Sequence, residues 1–346
     1  MSQRKKIYLE ATRIIAILLV IFNHTDGFIY FTLPCSVITW IYSMFFAIIC
    51  RVAVPLFFMV SGALLLTKEE SFSKLIKRRI ARILIVLAAI SLLYYLFDIA
   101  RGRIEGYGIR DFVFRLSTNG IRDSFWFLST YISVLILLPI IRKIVLGIDK
   151  KLVVYMIGIK ALTDVVLPLT GITTGMNFSM DFGMVIDCYY YVLLGHYLDK
   201  EEKNTIISGK KDIGLKELTF FLVMLVFLNG IFMYVIKEVT GEYRTELLDL
   251  FVFLTTPLVF LIAKQAMNVI LKKGWECKWI CTIGSCVFGI YLFDNFLRWQ
   301  FLPVYLFLSE KTTGILANSV YILLTFSIGF AYTWVLRKIP VIRNYI

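Results

Sequence analysis

The sequence predicts an all-α, polytopic membrane protein, about ten transmembrane helices around a central cavity, with both termini cytoplasmic. Three observations predict it. Hydrophobic residues make up 59% of the 346-residue chain, where a soluble domain holds about 45–50%; the mean hydropathy is +0.79. The apolar residues gather into ten runs, each near the roughly 20 residues that a helix needs to cross a bilayer. Of the 37 Lys and Arg residues, 25 fall on one side of these runs, the imbalance that marks cytoplasmic loops. An even number of crossings then returns both termini to that side. No low-complexity linker, convincing repeat or soluble domain interrupts the chain, so 1–346 reads as one membrane domain.

The runs are 7–30, 41–66, 80–97, 124–141, 152–170, 180–198, 217–237, 247–271, 281–301 and 313–336. The first is too long for a cleaved signal peptide and no small-residue cleavage site follows it. The second ends before Lys68 and Lys74, and the third opens on Lys77, Arg78, Arg79 and Arg82. The fourth begins at Trp126-Phe127-Leu128 and closes on Arg142 and Lys143, an aromatic start and a basic end that suit the two membrane surfaces. Asp164, Asp181 and Asp187 interrupt or flank the fifth and sixth, and Asp294 lies within the ninth. Between Asp98 and Asp123 runs the longest outer loop, whose five arginines and four acids suit a polar vestibule.

The net charge of +13 reads as juxtamembrane charge, not as a nucleic-acid footprint. The six cysteines match no zinc spacing and lie mostly in or beside apolar runs, so neither a metal site nor a disulfide framework is expected. His196 reads as a membrane-interface residue.

The first run carries Glu10, Arg13 and His24. An ionisable side chain in hydrocarbon costs at least roughly 2.5–3.5 kcal/mol, so it normally faces protein or water. Arg13 and His24 return to nearly one helix face and stand roughly 16 Å apart along it. His24 is suited to act as a general base or as an acyl-accepting nucleophile. Arg13 suits an anionic ligand or an intrahelical pair with Glu10. Arg51, near mid-membrane, must be paired or solvated. Pro55, Ser61 and Gly62 beyond it suit a kink and close helix packing. Arg78, Arg79 and Arg82 suit lipid headgroups or a bound phosphate. Glu10, Arg51, Ser61, Trp126 and Asp294 are placed along the wall of the expected cavity.

At these residues the chain resembles the acyltransferase 3 family of integral membrane acyltransferases, many of which O-acetylate surface polysaccharides. Three motifs carry the resemblance: an acid followed by Arg13, ten residues and His24; Arg51-Val-Ala-Val-Pro-Leu-Phe-Phe-Met-Val-Ser-Gly; and Arg79-x-x-Arg82. Phe125-Trp126-Phe127-Leu128, Leu194-Gly195 and Gly289-Ile-Tyr291-Leu add to it. Asp294 stands where many members carry a histidine.

The resemblance implies transfer of an acyl group, usually acetyl from acetyl-CoA, to a hydroxyl presented outside the cell membrane. His24 would be catalytic, Arg13 would handle the donor, and Arg78, Arg79 and Arg82 would meet its phosphates. Acyl-CoA enters as co-substrate and no cofactor is bound permanently. A glycan or glycolipid acceptor and the lipid bilayer are the expected partners, nucleic acid is not, and no oligomeric state is assigned. The alternative is a transporter or exporter of a glycan intermediate, with Arg13 and Arg51 binding an anionic substrate and no acyl-transfer chemistry.

Overall fold

The computed structural model describes residues 3–25, 35–68, 70–175, 183–200 and 213–346. Twelve helical segments account for nearly all of them, and no strand occurs among the described residues. They are α1 (Gln3–His24), α2 (Val37–Leu65), α3 (Phe72–Ala100), α4 (Ile109–Ser117), α5 (Asp123–Gly147), α6 (Lys150–Thr174) and α7 (Gly183–Lys200). After these come α8 (Leu215–Thr240), α9 (Thr245–Lys272), α10 (Lys278–Lys311), α11 (Gly314–Leu336) and the short α12 (Pro340–Arg343).

Among the described residues nine helices are long and apolar enough to cross a membrane. α7 follows the sixth run of the sequence, whose first residues lie outside the described ones, as does the end of the first run beyond Thr25. The all-α polytopic architecture read from hydropathy is therefore what is found. Several boundaries differ. The run at 281–301 belongs to a 34-residue helix, α10, which carries Pro303 inside it and continues through the apolar 304–308 to Lys311. The run at 80–97 begins earlier, at Phe72, through a π-helical stretch Leu75–Ile80. The loop expected from Asp98 to Asp123 contains α4, an amphipathic helix with Ile109, Phe112, Val113 and Leu116 on one face.

Two compact units divide the chain, Met1–Leu64 with Gly147–Val335, and Leu65–Leu146 with Leu336–Ile346. In the first, α1 packs against α10 and α9, and α8 and α7 lean on α9. Burial ranks these helices: 72% of the α9 window lies inside the protein, against 11% for α6. The α6 and α8 windows have only 11% and 22% of their residues inside the protein, so most of their apolar surface is left for lipid. Glycine sets the closest approaches. A Cβ on Gly62 would stand 1.9 Å from the carbonyl oxygen of Val192, and one on Gly195 would stand 2.2 Å from that of Met59. α2 and α7 thus touch backbone to backbone at two levels, the small-residue packing that membrane helices favour. The close-packing reading of Gly62 holds.

In the second unit α3 packs against α5 and α4. Asp98 takes a two-pronged pair from Arg122, at 2.7 and 3.0 Å, and Tyr95 donates to Asp111 at 2.8 Å. Several of the charges between Asp98 and Asp123 therefore hold this stretch together.

Candidate active site

The described end of α1 carries the site. His24 is the last residue of the helix, and its imidazole is 22% exposed. Its Nδ1 lies 2.5 Å from Oδ2 of Asp294, whose side chain is only 2% exposed. A neutral imidazole facing a carboxylate places its proton on the nitrogen nearest to it. Nδ1–H then donates to Asp294, and Nε2 is left with a lone pair. Among the described residues Nε2 has no partner.

Three elements build this arrangement. α1 and α10 run parallel: Glu10 packs on Gly284 near one end, where a Cβ would stand 2.4 Å from the carboxylate, and His24 meets Asp294 near the other. One turn beyond Asp294, Arg298 donates through Nη1 to the backbone carbonyl of His24 at 2.6 Å and through Nη2 to Oδ1 of Asn295 at 2.9 Å. A guanidinium on a helix's last carbonyls meets both an unpaired acceptor and the negative end of the macrodipole. α11 braces the pair from behind. Tyr321 donates to the carbonyl of Arg298 at 2.6 Å, and the Thr25 hydroxyl donates to Oδ1 of the fully buried Asn318 at 2.9 Å. His24 is thus gripped by its ring and by its own carbonyl, which leaves the imidazole little freedom to turn.

The other expected site residues scatter. Arg13 pairs with Glu10 at 2.9 Å, the intrahelical i,i+3 contact that the spacing allowed. Arg51, at a 3₁₀ turn (Cys50–Val52) inside α2, has its Nε 3.7 Å from Asp249. Ser61 donates to the carbonyl of Phe57 one turn back, at 2.8 Å, and Trp126 opens the α-helical part of α5, 38% exposed.

Arg79 gives its Nε and Nη2 to the two oxygens of Glu70, at 2.7 Å each. Arg142 lies 3.7 Å from the same carboxylate and donates to the carbonyl of Leu65 at 3.0 Å. The Arg79 guanidinium holds the Glu70 carboxyl below the usual carboxylate range. Arg82 reaches the carbonyl of Tyr345 at 3.1 Å, and Arg78 is exposed. The basic cluster is real, but its central fork is already occupied by an internal carboxylate.

A family model described as an acyltransferase domain matches residues 6–336. The chain belongs to the acyltransferase 3 family. It is a membrane acyltransferase, and the match runs through both compact units. No match to a curated protein or to a solved structure is found. Within this acyltransferase, sequence reasoning singled out His24 and Asp294 separately and left Asp294 without a partner. It gave no role to Arg298, Asn318 or Tyr321. The available signal was the spacing of Asp294, Asn295 and Arg298, which places an acid and a base at i,i+4 on one helix face.

Proposed function

We propose that this membrane acyltransferase moves an acyl group, acetyl in the first instance, from acyl-CoA to a hydroxyl of a cell-envelope glycan, with His24 as general base. The observation that carries this reading is the His24–Asp294 pair, 2.5 Å between Nδ1 and Oδ2. A base needs a fixed tautomer, an exposed lone pair and a group that stabilises its protonated form. Asp294 supplies the first and third, and the partial exposure of the ring supplies the second.

In the proposed reaction, Nε2 takes the proton of the acceptor hydroxyl as that oxygen attacks the thioester carbonyl. The imidazolium formed is paired with the Asp294 carboxylate. Collapse of the tetrahedral intermediate breaks the carbon–sulfur bond, and His24 returns the proton to the leaving thiolate. The products are the ester and free CoA. Arg13 serves the donor. The donor's phosphates meet Arg78 and Arg82, beside the Arg79–Glu70 pair, at the membrane surface that the Lys and Arg excess marks as cytoplasmic.

The experiment is acyl transfer from labelled acetyl-CoA by purified protein. His24→Ala is expected to abolish transfer. Asp294→Asn, which keeps the shape but not the charge, is expected to lower kcat by roughly a thousandfold with little change in the donor KM. Unimpaired transfer by His24→Ala would overturn the mechanism.

A further inference from the structure

A second group of charges lies inside the first unit, away from the dyad. Lys160 of α6 is almost fully buried and pairs with Asp164 at 2.8 Å and with Asp187 of α7. Asp249 at the start of α9 pairs with Arg51 and also feels the charges of Lys160, Asp164 and Asp187. Three carboxylates and two cations therefore gather at membrane depth. Asp187 and Asp249 are 55% and 59% exposed and Arg51 is 33% exposed. Charges at this depth face a water-filled recess rather than lipid.

The same helix faces continue as an apolar groove. On α6, Val153 and Ile157 line it in register with Lys160, just ahead of the π-helical stretch Leu162–Val166 that holds Asp164. On α7, Tyr190, Leu194 and Leu198 line it in register with Asp187. α8 and α9 close the sides with Met224 and Leu254, and the cavity holds about 270 Å³. Its walls are almost wholly apolar, and its Ile157, Tyr190 and Leu254 end lies, along each helix, on the side of Lys160, Asp187 and Asp249. That end is level with His24: Cys50, next to Arg51, donates its thiol to Oδ1 of Asn23 at 3.4 Å.

We propose that this is an amphiphile site. A neutral, hydroxyl-bearing headgroup is held by Arg51, Asp187 and Asp249, and a hydrocarbon chain lies in the groove of Ile157, Leu194 and Leu254. Resting on the acyl-transfer reading, this makes the acceptor a lipid-anchored polyol delivered sideways to the level of His24. The head chemistry follows from the rim. Hydroxyls donate to carboxylates and accept from a guanidinium, so they satisfy both. The net negative charge of the cluster turns away a phosphate, and an ammonium head can neither donate to nor accept from Arg51, whereas a hydroxyl can accept from it.

The test uses the full chain in phosphatidylcholine nanodiscs and a decyl glucoside bearing a diazirine in its chain. Photolabel is expected on the α6, α7 and α9 groove residues, displaced by unlabelled decyl glucoside and not by decyl phosphate or decyltrimethylammonium. Ile157→Trp, which fills the half-buried groove wall, and Asp187→Asn, at the exposed rim, are each expected to lower glucoside labelling about tenfold. Label spread evenly over the lipid-facing helices, or displacement by the charged decyl compounds as strong as by the glucoside, overturns the proposal. Labelling retained in His24→Ala separates the two readings. If that variant labels normally and still transfers acetyl, the base assignment fails while the amphiphile site stands.

Discussion

His24 differs from an ordinary buried histidine in what holds it. Asp294 fixes the ring at Nδ1 and Arg298 fixes the backbone carbonyl, both from one face of α10. The two grips are separable. Arg298→Lys keeps a cation near the helix end but loses the planar fork that reaches His24 and Asn295 together. It is expected to cost about tenfold in kcat, with the donor KM unchanged, and Arg298→Ala to cost more; steady-state kinetics on both variants check this. A loss confined to KM would move Arg298 from positioning the base to binding a substrate. Glu70 yields a pH prediction. Its folded pKa lies below the usual value because Arg79 pairs with the carboxylate. The pair therefore stabilises the protein above the unfolded carboxylate pKa of about 4.3, and this is lost as pH falls through the lower folded value. Thermal melts from about pH 6 to about pH 3 are expected to drop more steeply for the native protein than for Glu70→Gln.

At the scale of elements, the α2–α7 contact is the least forgiving. The atoms facing Gly62 and Gly195 are backbone atoms of Val192 and Met59, which cannot swing aside as a side-chain tip does. Gly195→Ala is expected to lower stability by about 1–3 kcal/mol or more, since the helices must separate along their whole contact. A denaturation midpoint in detergent unchanged from the parent would show that α2 and α7 can slide apart at no cost. The π-helical stretches have a related meaning. One holds Arg78 and Arg79 in α3 and the other holds Asp164 in α6. Each inserts extra backbone into a membrane helix where charged residues must be aimed. Periodicity at about 100° per residue could place these residues on a helix but could not aim them, because the register shifts inside the stretch.

At the scale of the whole molecule, orientation is a matter of charge. The excess of 25 of 37 basic residues on one side predicts both termini in the cytoplasm. A reporter active only in the cytoplasm, joined after Ile346, is expected to be active. The same reporter inserted between Arg103 and Glu105 is expected to be silent. The reverse pattern would invert the assignment of the donor and acceptor faces.

The sequence by itself determined the all-α membrane architecture and the place of nearly every span, because transfer of apolar side chains from water to lipid is summed along each run and needs no partner. Its motifs also marked His24, Arg13, Arg51, Asp294 and the basic cluster. Only the tertiary structure decided what these residues face. Asp294 lies 270 residues from His24 along the chain, Asp187 and Asp249 close on Lys160 and Arg51 from other helices, and Glu70 claims Arg79 across a turn. A charge in a low-dielectric interior is governed by neighbours a few ångströms away, and the sequence does not order those neighbours.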